Sequence, residues 1–176
     1  MHDAGRFPDG LDEDNLHGGR LFARHASPLS VILLGSLLIL ALFDVAGGQP
    51  STPMQRDFGA ATLTVDTPTT LRNGEFFETR IDIRAHADIE DAVLAVTPDL
   101  WRDMTINTTL PSPAEEAFEN GLLRWSYGPV KRGDTLHVKI DGQINPPLFA
   151  GTSGAILLYD GKRRVGRLPL SIRVFP

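Results

Sequence analysis

Phe77-Glu78-Thr79-Arg80-Ile81-Asp82-Ile83-Arg84-Ala85-His86 decides the fold class of this chain. Every second side chain is apolar or small, and each one between is charged or titratable. A period of two places alternate side chains on opposite faces, so this stretch reads as a half-buried strand of an antiparallel sheet. Shorter stretches repeat the signal. Leu63 and Val65 alternate in TLTVD, and Ala92, Leu94 and Val96 in AVLAV. Leu123, Trp125 and Tyr127 alternate in LLRWSYG, and Leu136, Val138 and Ile140 in TLHVKID. AILLY and the basic return that ends in Leu170-Ser171-Ile172-Arg173-Val174 read as a hairpin, with Asp160-Gly161 as a type I′ turn.

Seven or eight short antiparallel strands at roughly ten-residue spacing predict an all-β fold over residues 60–176. The spacing resembles that of the generic immunoglobulin-like or fibronectin-like β-sandwich modules of bacterial envelope proteins, and it singles out no family. One short helix is expected between strands, over about Pro113 to Asn120. Ser112 stands as its N-cap, Pro113 at the first helical position, Glu115 at capping-box spacing, and Gly121 as the stop. Acids in a first turn complement the helix dipole, which accounts for Glu115, Glu116 and Glu119 without a paired-carboxylate site.

Upstream of the sandwich the pattern changes. PLSVILLGSLLILALF, from Pro28 to Phe43, carries no charge. Extended over residues 26–47 it reaches the roughly 20 residues needed to cross about 30 Å of hydrocarbon, so a single transmembrane helix acting as a signal anchor is expected. A cleaved signal peptide is the rival reading, with Val45-Ala46-Gly47 as its site. Such a peptide would have a shorter apolar run behind a shorter start. Arg20 and Arg24 precede the segment, and Arg56 is the first base after it. That bias places the N-terminus in the cytoplasm and the C-terminal domain in the periplasm or outside, across a bacterial inner membrane. Residues 1–25 are poor in aliphatic side chains and read as a disordered tail. Residues 48–59 (GQPSTPMQRDFG) read as a flexible linker. His2, His17 and His25 match no metal-ligand spacing.

Composition narrows the chemistry. The 176 residues include no cysteine, which excludes disulfides, thiolate catalysis and Cys-ligated metals. A formal charge of −5 gives no footprint for nucleic acid. No cofactor is expected, and no motif specifies an enzyme. Gly151-Thr152-Ser153-Gly154 lacks the spacing of a nucleophile elbow and reads as a turn. Arg132-Gly133-Asp134 reads as turn chemistry before a strand, and Asn107-Thr108-Thr109 fits a glycosylation acceptor only in a host equipped for it.

Two surfaces are candidates for contact. One is the stiff apolar loop with Ile144, Pro146, Pro147, Leu148 and Phe149, joined by Trp101; these side chains could meet a partner or fold back to cap the sandwich. The other is basic: Lys162, Arg163, Arg164 and Arg167 on the last hairpin could meet anionic lipid headgroups or guard an edge strand. The expected function is that of a membrane-anchored envelope protein. Its sandwich binds another membrane or periplasmic protein as an accessory or assembly subunit, with the bilayer as a second partner through one helix. The alternative is a module for cell-wall polysaccharide or lipid headgroups. A third reading, a metal-assisted hydrolase or chaperone, would use His86 and His137.

Overall fold

The computed structural model describes residues 20–43, 51–146, 148 and 150–176, with side chains from residue 28 onward. The chain divides into two units, Met1–Val45 and Ala46–Pro176. Residues 1–19 of the expected tail, 44–47 of the expected membrane helix and 48–50 of the linker lie outside the described residues, as do Pro147 and Phe149, whereas residues 20–25 of the tail are helical rather than disordered.

Among the described residues the first unit contains one helix, α1, Arg20–Leu42, with Pro28 inside it. From Pro28 to Phe43 every residue is exposed except the half-buried Gly35. This apolar stretch spans about 24 Å at 1.5 Å per residue, less than the roughly 30 Å of a bilayer core. Among the described residues no helix is long and apolar enough to cross a membrane.

The second unit is a β-sandwich of eleven strands: β1 Met54–Asp57, β2 Ala61–Asp66, β3 Thr70–Arg72, β4 Phe76–Ala85, β5 Ala92–Val96, β6 Met104–Leu110, β7 Glu115–Glu119, β8 Leu122–Ser126, β9 Thr135–Ile144, β10 Thr152–Asp160 and β11 Arg163–Phe175. The five-stranded sheet has the order β1-β2-β4-β9-β6, and the six-stranded sheet the order β3-β11-β10-β5-β8-β7. All pairs are antiparallel except β3 with β11. The alternation that announced β4 is realised residue by residue. Phe77, Thr79, Ile81, Ile83 and Ala85 are buried, and the residues between them are exposed or half-buried.

The inner faces share one core. Leu63, Val65, Ile81, Ile83, Val138 and Ile140 from the first sheet meet Leu94, Val96, Ile156, Leu158, Leu168 and Ile172 from the second. Each fully buried aliphatic side chain contributes about 1.5–3 kcal/mol. Thr79 occupies an apolar position yet costs little, because its hydroxyl pairs with that of Thr67 at 2.7 Å. Gly142 makes room for the Phe77 ring, whose nearest carbon would lie 2.5 Å from an added Cβ.

Four expectations are corrected. The short helix over Pro113–Asn120 is instead the strand β7, paired with β8 from Glu115↔Ser126 to Glu119↔Leu122. Asn120 and Gly121 have φ of 53° and 73°, the two positive angles that a tight hairpin turn requires. Two turns of isolated helix cannot repay nucleation, whereas this strand gains a ladder along β8. The linker is shorter than residues 48–59, because Met54–Asp57 pair with Thr62–Val65. Ser51 is already tied in by a 2.8 Å hydrogen bond that its hydroxyl accepts from Thr69 N–H.

The count of seven or eight strands rises to eleven because β1, β3, β6 and β7 lack clear alternation. The last hairpin turns one residue later than expected. Gly161, at φ 57°, takes the first central position while Asp160 ends β10. This fits a type II′ turn better than I′. Asp160 is retained for other work, because its carboxylate accepts the N–H groups of Glu90 at 2.9 Å and Asp91 at 3.2 Å.

Candidate partner-binding edge

The apolar loop folds inward. Ile144 is 0% exposed and Leu148 2%, and both belong to the core. Leu148 N–H donates to Asn145 O at 3.1 Å, which turns the chain back on itself. Pro146 remains exposed, its carbonyl accepting from Asn73 Nδ2 at 2.6 Å. Trp101 is buried against Trp125, with ring centroids 5.5 Å apart and planes at 51°. Ile144, Leu148 and Trp101 are therefore core closures and offer no side-chain contact to a partner. Burial of apolar area at the sandwich end outweighs anything they would gain in water.

The basic residues are placed as expected on the surface: Lys162, Arg163, Arg164 and Arg167 are all exposed. Arg163 is engaged with Asp160, Nη2 to Oδ2, at 2.9 Å. Burial acts to raise the Asp160 carboxyl, but Arg163 and the two N–H groups outweigh it and hold its pKa below the ordinary value. The hairpin tip stands at the end of the sandwich opposite Ser51. Arg173, at the other end of β11, donates its N–H to Thr69 O, and Thr69 is bonded to Ser51. About 33 Å of strand separates Arg163 from Arg173.

His86 and His137 are not brought together. His137 Nδ1 lies 2.7 Å from Asp82 Oδ1, while His86 Nε2 lies 2.7 Å from Thr62 Oγ1. Along β4, Asp82 and His86 are about 13 Å apart. Among the described residues no cluster of His, Asp and Glu could hold a metal ion. The outer face of the first sheet is instead a ladder of ion pairs. Lys139 reaches Glu78 at 2.6 Å, and Arg80 reaches it at 2.5 Å. The Lys139 hydrogen bond, despite some burial, lowers the Glu78 pKa, and the same bond raises that of Lys139. Exposed pairs of this kind contribute little to stability. The Arg132-Gly133-Asp134 turn is exposed, and Asp88 accepts the Arg132 N–H at 2.8 Å. Gly151-Thr152-Ser153-Gly154 runs into β10 and forms no strand-to-helix elbow.

The feature that sequence reasoning missed lies where both sheets end. β6 closes one sheet and β7 the other, joined by only four residues, so the sandwich is open along this side. Register fixes the faces of β7. Glu116 and Phe118 stand opposite Trp125 and Leu123, on the inner face, while Glu115, Ala117 and Glu119 look outward. Phe118 is nevertheless 66% exposed, on a strand that, among the described residues, ends its sheet.

Beside it lies a cleft of about 430 Å³ between the two edges. Ile106, Asn107, Thr108, Thr109, Ser112, Pro113 and Glu116 form its sides, and the nearly buried Trp125 its floor. β6 is irregular here, its pairing with β9 shifting between Ile106 and Thr108. Tyr127, two residues beyond Trp125, has its hydroxyl pushed well above the usual range by burial and then by the charge of Glu116. From Met104 to Glu119 there are three acids and no base. The Asn-Gly turn was the local signal that could have revealed β7, and with it the edge.

No protein-family model matches the sequence, and no curated protein is significantly similar to it. The solved structures to which this chain is similar include two of low identity. One is the chitin-binding domain of a hyperthermophilic chitinase from Pyrococcus furiosus, at TM-score 0.40 and 17% identity over 66% of this chain and 100% of that one. The other is a non-cellulosomal cohesin from the hyperthermophilic archaeon Archaeoglobus fulgidus, at TM-score 0.41 and 11% identity over 65% and 91%. Likenesses this distant carry no functional inference.

Proposed function

We propose that this chain is a membrane-anchored binding module whose β-sandwich captures another membrane or envelope protein along the open β6–β7 edge. The observation that carries the reading is Phe118, an aromatic side chain on the core-facing side of an edge strand that is left two-thirds exposed beside a cleft. Aromatic anchors dominate protein interfaces, and an exposed one beside a cleft at an open edge is placed to act as one. As proposed, the module binds and does not catalyse, and it assists a larger assembly as an accessory subunit.

The anchor is supported by the uncharged run from Pro28 to Phe43 and by Arg20 and Arg24 before it, which favour a cytoplasmic N-terminus and an extracytoplasmic sandwich. The polysaccharide reading draws no support from the two tryptophans. Trp101 and Trp125 are 5% and 7% exposed, so neither offers a stacking platform for sugar rings.

The test is site-specific photo-cross-linking in native membranes. A photoreactive residue in place of Phe118 should trap one protein, and the same residue in place of Arg167 should not. Equal adducts from both positions, or none from Phe118, overturn the reading. Anchoring is tested separately, and the cysteine-free chain makes this direct. Ser112→Cys should react with an impermeant maleimide in spheroplasts, and His17→Cys only after lysis. Release of the chain by alkaline carbonate would refute the anchor.

A further inference from the structure

We propose that the occupant of this edge is an extended basic segment of the partner, added to β7 as a seventh strand of the second sheet. The inference deepens the binding reading above and rests on it. An edge strand presents unpaired N–H and C=O groups at strand spacing, a template that another extended chain can complete. All five residues of β7 are exposed, so its free side is open to such a chain.

The side chains of β7 select the occupant. An added strand places one set of its side chains over Glu115 and Glu119 on the outer face. The alternate set lies over Phe118 and the cleft on the inner face. Opposite charges directly across a strand pair stabilise it and like charges destabilise it. The outer set must therefore be basic, and the inner set apolar where it meets Phe118.

Arg124 and Lys162 border the outer hollow beside Glu115, and Arg124 lies 3.7 Å from Glu119. Among the described residues Glu115 and Glu116 form no ion pair, and β7 itself carries no base. A second copy of this chain fits poorly. Two β7 strands paired antiparallel about Ala117 would set Glu115 against Glu119 twice, and Glu116 against Phe118. The acids thus oppose self-pairing and leave a cationic strand as the complementary guest.

The test uses the full chain in zwitterionic detergent micelles and three synthetic probes: a peptide alternating arginine and valine, its glutamate–valine counterpart, and the arginine–valine peptide N-methylated at alternate backbone nitrogens. The first should bind, shift the amide resonances of residues 115–119, and weaken as salt rises. The second should not bind, and the third should bind at least tenfold more weakly, because its methyl groups block the ladder.

In Glu115→Lys and in Glu115→Lys/Glu119→Lys, with near-ultraviolet dichroism unchanged, the preference should move toward the glutamate–valine peptide. Equal binding of the N-methylated peptide overturns strand addition. An unchanged preference in the charge variants overturns the basic occupant, and so does a concentration-dependent dimer that shifts β7. If no peptide binds while Phe118 still cross-links to a partner, the basic strand is refuted and the binding module stands. If Phe118 gives no cross-link, the module itself fails.

Discussion

Two single substitutions separate the core of this domain from its contact surface: Ile144→Ala and Phe118→Ala. Ile144 ends β9 with no exposed area and packs in the main core. Truncating such a side chain removes its transfer free energy and leaves a cavity, together about 2–5 kcal/mol. Phe118 buries only the remaining third of its area. A buried phenylalanine removes on the order of 200 Å² from water. A third of that, at about 25 cal/mol per Å², is roughly 1.5 kcal/mol, and this is an upper bound because the unfolded chain already buries some apolar surface.

For a domain of this size 1 kcal/mol moves the midpoint by about 4 °C. Ile144→Ala should then lower Tm by roughly 8–20 °C and Phe118→Ala by less than about 6 °C. Urea unfolding followed by the near-ultraviolet signal of the two tryptophans measures both, with the slope unchanged. Recovery of the partner with the detergent-solubilised chain should behave in the opposite sense. Phe118→Ala abolishes partner capture in a folded protein, and Ile144→Ala spares it below its own melting point. A shift under about 4 °C for Ile144→Ala would show that the loop is not folded into the core. Equal destabilisation by the two variants would show that the edge at β7 is not open.

Other consequences can be checked on the same preparations. Gly151→Ala should destabilise by at least about 2 kcal/mol in urea, because its φ of 104° disfavours a side chain and an added Cβ would lie 1.9 Å from Ile172 O. Arg124→Lys should cost about 1–2 kcal/mol in the same assay. The guanidinium lies 4.5 Å from the centre of the Tyr159 ring and donates to Gly161 O at 2.9 Å, a geometry an ammonium cannot reproduce. Asp160 has a folded pKa lowered from its ordinary 3.8, so its stabilising contribution is complete above that value and is lost as pH falls through the lower folded value. Asp160→Asn should therefore flatten the acid limb of a stability-against-pH curve below about pH 4 and lower the neutral plateau. An acid limb unchanged in Asp160→Asn would remove this carboxylate from the account.

Much of the sandwich was legible because strand periodicity is local. The alternation in β4, and the shorter runs of β2, β5, β8 and β9, need only the two-residue repeat of an extended chain facing a core. β7 is ambiguous in the sequence because two local signals compete within the ten residues Ser112–Gly121. Ser112-Pro113-Ala114-Glu115 reads as a capping box, and Asn120-Gly121 as a hairpin turn. The hairpin won because β8 offered Glu115–Glu119 a full ladder. β1 was hidden by the Gly/Pro/Ser composition before it, although Asp57 already carried a turn signal. Its carboxylate accepts the Gly59 N–H at 2.8 Å and turns the chain into β2.

The site shows the division more sharply. Sequence alone established an all-β domain behind one long apolar segment, the absence of thiol chemistry, and the exposure of Lys162, Arg163, Arg164 and Arg167. Each follows from composition, or from side-chain period along a single strand. Whether Ile144, Leu148 and Trp101 faced a partner or the core depended on which residues distant in the chain closed over them. Only the tertiary structure decided that. Phe118 is the converse case. On an inner strand its position would be core, and it meets water only because the order β3-β11-β10-β5-β8-β7 stops at its own strand. Strand order is a property of non-local pairing, and no local period records it.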